Sequence, residues 1–369
     1  MRPMGNNSPF ATETAFSLGS FPPRPGLFER GVRRLLAGLG PTPPFRDDPC
    51  AAHPNDVVPA VPKTLLKAEI EALPAAQRLI DGGQFVVHWA RAAQLPWCLQ
   101  EIGRLRELSF RAAGEGTGRA SDIDLFDAYY LHLFVWDAKA GVIVGAYRMG
   151  LADEILGRYG RRGLYTYSLF RYDSRVLRSL NPAIELGRSF VRAEYQRSFA
   201  PLLLLWRGIG RFVARNPRYA VLFGPVSISA SYEPFSRQVM VDFLKANNVE
   251  PGLARHVRPR RPFRARKPVD WNDAELAGLK DIDDLSRLIE RIERDRKGVP
   301  ILLKQYLKLG GRLLGFSADK QFNHALDGLI MVDLRNSETR LLERYMGEDG
   351  LDAFLAHHRA EALQLRRAS

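Results

Sequence analysis

The sequence predicts an α/β protein built on one mixed β-sheet that is flanked by helices. The segments 131–136 and 142–149 are both apolar and enclose a polar turn, which indicates an antiparallel hairpin. From Ala183 onward, strand-like and helix-like segments alternate, and this order is typical of strands that pair in parallel through helical crossovers. A hairpin followed by alternating strands and helices therefore predicts one sheet that contains both antiparallel and parallel pairs of strands.

Residue spacing predicts the remaining elements. Apolar residues recur at intervals of three and four in the segments that we predict to be helical, which are 64–73, 96–112, 234–247, 281–295 and 300–309. Pro201 predicts the start of a helix that runs to about Arg215, because the N–H that proline lacks has no partner in the first turn. Strands are predicted at 85–89, 183–191, 219–229, 312–317 and 328–334, and a pair of helices ends the chain.

The distribution of proline divides the chain. Residues 1–62 hold 12 of the 24 prolines, which leaves little room for regular structure and predicts a mostly disordered tail or linker. Residues 63–347 carry the periodic segments and form the predicted main domain. Residues 348–369 are predicted to be a C-terminal helical tail.

Composition narrows the class of protein. The formal net charge of +13 favours an acidic partner, which can be a nucleic acid, an anionic lipid surface or an acidic carrier protein. The longest apolar runs fall far short of the roughly 20 residues that span a bilayer. The two cysteines, Cys50 and Cys98, are too few for a disulfide framework or a four-ligand metal site, so we expect no bound metal and a cytoplasmic location.

The segment 183–191 is the first candidate for chemistry. In a regular strand Glu185 and Arg188 would face opposite sides, but Gly187 signals a β-bulge, which would re-aim one charge and free a backbone N–H. A free amide can stabilise the oxyanion of a thioester, and a carboxylate such as Glu185 can accept the proton of an amine. The alternative is a structural ion pair in an edge strand.

A second candidate lies between residues 104 and 127. Arg106 is in a predicted helix, Glu115 is in the glycine-rich loop 114–118, and Asp124 and Asp127 follow. Interspersed arginines and carboxylates can hold a zwitterionic amine between them. A solvated loop with ordinary surface charge accounts for the same pattern equally well.

Two further segments favour anionic ligands. Gln196, Arg197 and Ser198 precede the helix that begins near Pro201, and the free N–H groups of a helix N-terminus can bind the phosphate of a phosphopantetheine arm. The segment 252–268 has seven basic residues and no acid, and its prolines predict an extended loop. Such a loop can contact anionic lipid or an acidic carrier protein through Arg258, Arg260, Arg261 and Arg264. The alternative for the first segment is an ordinary strand–helix connection, and the alternative for the second is a solvated flexible loop.

Several long motifs occur in one order along the chain. They lie at 101–111 (EIGRLRELSFR), 114–118, 127–136, 145–148, 185–191, 194–198 and 223–229. With these motifs, the chain from about Gln84 to Arg264 resembles the GNAT-like acyltransferases known as hemolysin-like proteins or ornithine-lipid N-acyltransferases, which are relatives of the acyl-homoserine-lactone synthases. The segment 306–334 resembles the C-terminal strands of that family.

The resemblance implies a GNAT-like sheet and a charged cluster beside a thioester. Glu185 and Arg188 match the Glu-x-x-Arg motif of the synthases, in which the glutamate is the proposed base. Arg148 matches the arginine that ends their hairpin. These three residues are therefore expected to be catalytic. Together with the loop residue Glu115, the residues expected to bind the amine are Arg106, Phe110, Asp124 and Asp127.

The donor loop departs from the usual GNAT pattern. GNAT enzymes that bind coenzyme A use Gln/Arg-x-x-Gly-x-Gly/Ala, and Gln196–Pro201 lacks the glycine. We therefore expect acyl carrier protein rather than coenzyme A as the donor, and no bound cofactor. A nucleic-acid partner is not expected, because basic and aromatic residues do not interleave on an evident strand pair.

The expected function is transfer of a fatty acyl chain, 3-hydroxylated or not, to the amine of an amino acid such as ornithine. The product would be a lyso-aminolipid, made by a cytoplasmic enzyme at the periphery of the inner membrane. Two alternatives are a lipid-binding protein without catalysis and a signal synthase similar to the acyl-homoserine-lactone synthases.

Overall fold

The computed structural model describes residues 56–264, 278–320 and 322–368, so the predicted tail up to residue 55 lies outside them. Within these ranges the α-helices are Lys63–Glu71 (α1), Pro96–Ala112 (α2), Ala152–Tyr159 (α3), Ser174–Ser179 (α4), Ala200–Arg215 (α5), Pro234–Asn247 (α6), Pro251–Ala254 (α7), Ile282–Ile292 (α8), Ile301–Lys308 (α9), Thr339–Met346 (α10) and Glu348–Ala368 (α11). The strands are Arg78–Gly82 (β1), Phe85–Arg91 (β2), Leu131–Asp137 (β3), Val142–Leu151 (β4), Phe170–Tyr172 (β5), Ala183–Val191 (β6), Val221–Ile228 (β7), Val257–Pro259 (β8), Arg312–Asp319 (β9) and Ala325–Asp333 (β10).

These elements confirm the predicted α/β class and each predicted helix and strand. The sequence analysis missed six short elements, each of eight residues or fewer, which are β1, β5, β8, α3, α4 and α7. Among them β5, β8 and α7 have only three or four residues, which is too few for a helical or strand period to be recognised.

The central sheet has eight strands in the order β1-β2-β3-β4-β6-β7-β10-β9. Neighbouring strands are antiparallel except β6 and β7, which are parallel, so the sheet is mixed as predicted. A second sheet consists of β5 and β8.

Helices cover both faces of the central sheet. Leu133 and Val135 of β3 belong to the largest apolar cluster, which includes Trp206 of α5. Phe134 and Trp136 alternate with them along β3 and pack with α1 and α2. Successive side chains of a strand point to opposite faces, so α2 and α5 lie on opposite sides of the sheet.

The sheet opens between its two parallel strands. Pairing of β6 with β7 is restricted to residues 183–185 and 221–223, although β6 continues to Val191 and β7 to Ile228. A Cβ atom at Gly224 would collide with the carbonyl oxygen of Leu186, so the backbones are in close contact just before they separate. The separation leaves a wedge in the middle of the sheet.

The strand β6 also contains the predicted bulge. Its register with β4 shifts so that Arg188 and Ser189 both lie opposite Tyr147, and Arg188 has a φ of 50°. Leu186 packs on the α5 side and Phe190 on the α2 side, which a regular strand would not allow for residues four apart. The bulge predicted from Gly187 is confirmed.

The segment 252–268 is not the extended loop that its prolines predicted. Its first residues belong to α7, and β8 follows and pairs with β5, with Arg258 opposite Arg171. The carbonyl oxygen of Arg261 then accepts a hydrogen bond of 2.9 Å from the backbone N–H of Ala318. Proline is tolerated at the ends of a short helix and a short strand such as α7 and β8. Residues 265–268 lie outside the described ranges.

The end of the predicted N-terminal linker packs on the main domain. The backbone N–H of Val61 donates to the Glu101 carboxylate at 3.1 Å, and that of Val58 donates to the carbonyl of Ala120 at 2.9 Å. The Val61 side chain is buried with α1 and α2. In the described ranges, no helix combines the length and apolar character that crossing a bilayer requires.

Candidate active site

A cavity of about 640 Å³ lies in the wedge between β6 and β7. Its walls are formed by the bulged strand at 186–191, by 225–227 of β7, and by residues of the loop 196–199 and of α5. The cavity is completed by the end of α2 and the loop after it, and by the start of α9. Single residues of β4, of β10 and of two connecting segments also line it.

The cavity has a polar half and an apolar half. The polar half is lined by Glu115, Arg188 and Asp327, and Glu115 lies in the loop after α2. The apolar half is lined by Leu202 of α5 and Leu302 of α9. Because α2 and α5 cover opposite faces, the cavity passes through the sheet. An elongated ligand can therefore place a polar group on one face and a hydrocarbon chain on the other.

Two carboxyl groups of the polar half titrate near neutrality. Burial raises the pKa of Glu115 to about 7. Burial, together with the neighbouring charges of Asp319 and Glu115, raises the pKa of Asp327 to about 8. A hydrogen bond of 2.7 Å from the Ser227 hydroxyl to Oδ1 of Asp327 opposes this rise, because it favours the anion. Groups that titrate in this range are suited to proton transfer at neutral pH.

An ion-pair network lies behind the polar half, and Arg106 is at its centre. The Nη1 and Nη2 atoms of Arg106 donate to the two oxygens of Asp127 at 2.8 and 2.7 Å, and its Nε lies 3.2 Å from the carboxylate of Asp122. All three side chains are buried. Burial disfavours ionised Asp127, but the charges of Arg106 and Arg148 outweigh it and lower the pKa of that carboxyl.

Asp124 joins the other two arginines of the network. Arg148 of β4 lies 2.5 Å from Oδ1 of Asp124, and Arg188 of β6 lies 3.2 Å from Oδ2. Arg188 also donates to the hydroxyl of Tyr165 at 3.1 Å. The segment 104–127 is therefore a buried network that holds two strands, and the alternative of a solvated loop is wrong.

Arg148 stabilises the network without reaching the cavity. Its guanidinium lies 5.2 Å from the ring centroids of Tyr130 and Tyr165 and 5.5 Å from that of Phe126. Cation–π contacts of this kind stabilise a charge that water cannot reach. The side chain is 1% exposed and does not line the cavity, so the structure supports a positioning role rather than the predicted catalytic role.

Glu185 also lies outside the cavity. Its carboxylate accepts hydrogen bonds from the backbone N–H groups of Tyr165 at 3.0 Å and Thr166 at 2.6 Å, and from the hydroxyl of Tyr130. Burial raises its pKa although these bonds favour the anion. The bulge brings Glu185 and Arg188 to the same side of the sheet, but Glu185 anchors residues 165–166 there. This geometry does not support the predicted role of Glu185 as a base, since three donors already occupy its two oxygens.

The structure separates the predicted site residues into three groups. Those that line the cavity are Phe110, Glu115, Arg188, Gln196, Arg197 and Ser198. Those that form the supporting layer behind it are Arg106, Asp124, Asp127, Arg148 and Glu185. Those that are exposed and lie away from the cavity are Arg258, Arg260, Arg261 and Arg264.

Sequence reasoning missed Asp327, Tyr165 and Phe322, which all line the cavity. For Asp327 a signal was available, because it is an isolated acid followed by glycine in the apolar strand ALDGLIMVD. A buried carboxyl in such a strand needs a functional or structural reason. Tyr165 lies in a connection whose position depends on Glu185, and its sequence context carries no such signal.

The predicted donor loop lies at the rim of the cavity. The Gln196 side chain donates to the carbonyl of Val191 at 2.7 Å, and the Ser198 hydroxyl accepts from the N–H of Ala200 at 3.0 Å. Phe199 is 44% exposed and Ile301 is 60% exposed, although both are apolar. Because both also line the cavity, its rim is apolar and is suited to a hydrocarbon chain.

One cluster of possible metal ligands occurs in the described part of the chain. It consists of His357, His358 and Glu361 on α11, and none of these residues lines the cavity. The ring nitrogens of His358 already lie 3.3 Å from Glu361 and 2.9 Å from the carbonyl of Pro217.

Comparison with known proteins identifies the family of the chain. The family model "Acetyltransferase (GNAT) domain" matches residues 105–206, which extend from α2 into α5. The chain is 31% identical over 298 residues to a glycine N(alpha)-acyltransferase of Bacteroides thetaiotaomicron, covering 75% of this chain and 86% of the relative. A glycine N(alpha)-acyltransferase of Phocaeicola vulgatus is 34% identical over 201 residues, covering 52% of this chain and 61% of the relative. An L-ornithine N(alpha)-acyltransferase of Rhizobium meliloti is 28% identical over 253 residues, covering 67% of this chain and 78% of the relative. No solved structure matches the chain.

The open mixed sheet, the bulged strand and the family match define an acyltransferase of the GNAT class. The similarity to the relative from Bacteroides thetaiotaomicron extends over three quarters of the chain. The chain belongs to the GNAT-like N-acyltransferase family, and its activity is the transfer of an acyl group to an amino group.

Proposed function

We propose that this protein transfers a fatty acyl chain, 3-hydroxylated or not, from acyl carrier protein to the α-amine of a small amino acid such as ornithine. The product is a lyso-aminolipid that is released at the inner membrane. The passage of the cavity through the sheet carries this proposal, because it gives the amino acid a polar half and the acyl chain an apolar half.

The bulge is the place for the reacting thioester. A bulge can leave a backbone N–H outside the ladder of strand hydrogen bonds, and an N–H of the bulged pair Arg188 and Ser189 is the proposed donor to the oxyanion. Arg188, held by Tyr165 and Asp124, is the cation for the carboxylate of the acceptor. The names of the relatives, which specify glycine and ornithine, support an amino-acid acceptor.

Mass spectrometry of purified reactions tests the function. The enzyme is incubated with acyl carrier proteins that carry chains of several lengths and with a panel containing ornithine, glycine, lysine and serine. We expect an N-acyl amino acid whose acyl group depends on the donor. Absence of any acylated amino acid over the whole panel would contradict the proposal.

Acyl carrier protein is proposed as the donor because the loop at 196–201 lacks the glycine of coenzyme A sites and the net charge of +13 attracts acidic proteins. We expect kcat/KM for acyl carrier protein to exceed that for the matching acyl-coenzyme A by on the order of 10-fold at low salt, and to fall as salt screens the attraction. Acyl-pantetheine, which has no charge, is the control and should respond little to salt. Equal kcat/KM for the two charged donors would refute this donor assignment.

An exposed basic surface that includes Arg258, Arg260, Arg261 and Arg264 is proposed to bind the anionic membrane. Its arginines come from neighbouring segments, since Arg171 and Arg258 are paired across β5 and β8 and the guanidinium groups of Arg161 and Arg260 lie 5.4 and 5.0 Å from the ring of Tyr167. Each arginine near an anionic surface contributes about 1 kcal/mol. Arg260 also donates to the carbonyl of Tyr167 at 2.8 Å and therefore stabilises the local fold.

The variant Arg258→Gln/Arg261→Gln/Arg264→Gln tests this surface while leaving Arg260 in place. Loss of three contacts of about 1 kcal/mol each should weaken sedimentation with anionic vesicles by on the order of 100-fold. The matched control is Arg340→Gln/Arg344→Gln/Arg359→Gln, which removes the same charge from exposed positions of α10 and α11. Retained vesicle binding with a raised KM for acyl carrier protein would mean that the surface docks the carrier protein instead.

A further inference from the structure

We propose that Glu115 is the general base that accepts the proton of the acceptor amine, and that Glu185 is a positioning residue. The inference rests on the proposed function, since it requires an amine to enter the polar half of the cavity. It assigns the proton transfer to a residue on a different element from the Glu-x-x-Arg motif.

The loop that carries Glu115 is held firmly at the wall of the cavity. The buried carboxylate of Glu107 accepts hydrogen bonds from the N–H and hydroxyl of Thr117, at 3.2 and 2.5 Å, and from the N–H of Gly118 at 2.9 Å. On the other side, Asn323 donates to the carbonyl of Gly114 at 3.0 Å. Gly114 has a φ of +74°, a conformation that favours glycine, and it turns the chain so that Glu115 follows directly.

Glu115 is accessible from the cavity, as a base must be, whereas Glu185 is not. The Glu115 side chain lines the cavity, and in the described ranges its carboxylate has no hydrogen bond or ion pair. Glu185 is outside the cavity and already accepts three hydrogen bonds. A base must direct a lone pair at the proton that it accepts, so the unpartnered carboxylate is the candidate.

Burial raises the proton affinity of Glu115, and other titratable groups lie near it. Asp319 of β9 adds negative charge near the polar half, Arg188 of β6 adds positive charge, and Asp327 of β10 is a further titratable carboxyl beside them. Tyr232, which follows β7, and Tyr165 are the neighbouring phenols, and the pKa values of both are raised above the usual range. With its pKa near 7, Glu115 is ionised in part at neutral pH and can take a proton from an ammonium group.

Asp327 has a complementary role beside Glu115. Its pKa of about 8 means that it holds a proton at neutral pH, and its Oδ1 is fixed by Ser227. A neutral carboxyl can donate a hydrogen bond, which orients the free amine next to the anionic Glu115. The two carboxyl groups interact, so they titrate as a pair.

Acyl transfer in the cavity moves two protons away from the acceptor nitrogen. The acceptor enters as an ammonium ion, and Glu115 takes one proton from its nitrogen. The freed lone pair attacks the thioester carbonyl carbon, a C–N bond forms, and the C=O electrons move to the oxygen. When the C=O bond re-forms, the C–S bond breaks, and sulfur leaves with its electron pair and takes the second proton from nitrogen. The products are an amide and a thiol, and Glu115 returns its proton to water.

The variant Glu115→Gln keeps the shape of the side chain and removes its basicity. We expect kcat/KM for the amino acid to fall by about 10² to 10⁴. In the wild type, kcat/KM should decline as pH drops through about 7, because the base must be ionised, and this acid limb should disappear in Glu115→Gln. Glu115→Asp, which retains a carboxylate one methylene shorter, should keep the limb at a reduced rate. The melting temperature and the KM for the acyl donor should stay unchanged in both variants.

Three results would overturn the inference. A folded Glu115→Gln protein with the wild-type rate and acid limb would exclude Glu115 as the base. Loss of the acid limb in Asp327→Asn, with the limb retained in Glu115→Gln, would assign the base to Asp327. A wild-type protein that acylates no amino acid would overturn the proposed function first, and the base assignment with it.

Discussion

Replacing Arg148 by methionine is expected to lower the free energy of unfolding by about 3–5 kcal/mol. The change removes the partner that lies 2.5 Å from Asp124 and 3.3 Å from Asp127. Asp127 is fully buried, so water cannot replace the lost charge. Breaking a buried ion pair on one side leaves an uncompensated charge, which is why the cost exceeds that of a surface pair, about 0–1 kcal/mol.

Urea denaturation of Arg148→Met measures this cost. The matched control is Arg158→Met, which changes an exposed arginine of α3 outside the network and should alter stability by less than about 0.5 kcal/mol. Adding Asp124→Asn to Arg148→Met removes one of the stranded charges and should recover part of the loss. A loss below about 1 kcal/mol for Arg148→Met would mean that the network contributes no more than surface pairs do.

Replacing Leu202 by tryptophan is expected to shorten the acyl chain that the enzyme accepts. Leu202 lines the apolar half and is only partly buried, so a larger side chain can enter the cavity without disrupting the core. Each methylene that no longer fits loses about 0.8 kcal/mol of burial, so the exclusion of about four methylenes costs about 3 kcal/mol. For a long-chain donor kcat/KM should therefore fall on the order of 100-fold.

Donors of increasing chain length give the decisive comparison for Leu202→Trp. Short acyl chains should react at close to the wild-type rate, because they do not extend to the substituted position. Leu203→Trp is the matched control, since Leu203 is the next residue of α5, is also partly buried, and does not line the cavity. An equal loss with short and long donors would indicate damage to the reacting centre and would contradict the assignment of the apolar half to the acyl chain.

Local spacing determined much of the architecture. The hydrophobic period of α2, the proline at the start of α5 and the hairpin around residues 138–141 each contain their own signal, so these elements were predicted with their bounds nearly correct. Gly187 identified the bulge in β6, because a glycine within an apolar strand often marks the point where the ladder of hydrogen bonds is interrupted. The resemblance implied that Asp124, Asp127 and three arginines belong to one charged cluster, but their ion pairs were given by the structure.

Tertiary structure alone decided which charged residues meet a substrate. Glu115 and Glu185 are both isolated glutamates in the sequence, but one carboxylate lines the cavity without a partner in the described ranges and the other is occupied by backbone N–H groups from residues 165–166. Those N–H groups and Asp327 come from segments distant in the chain, so no local pattern could assign them. Spacing is read along the chain, whereas burial and hydrogen-bond partners arise from residues that only folding brings together. For this protein the sequence therefore determined the elements and the class of chemistry, and the packing of the strands decided which carboxylate is free to act.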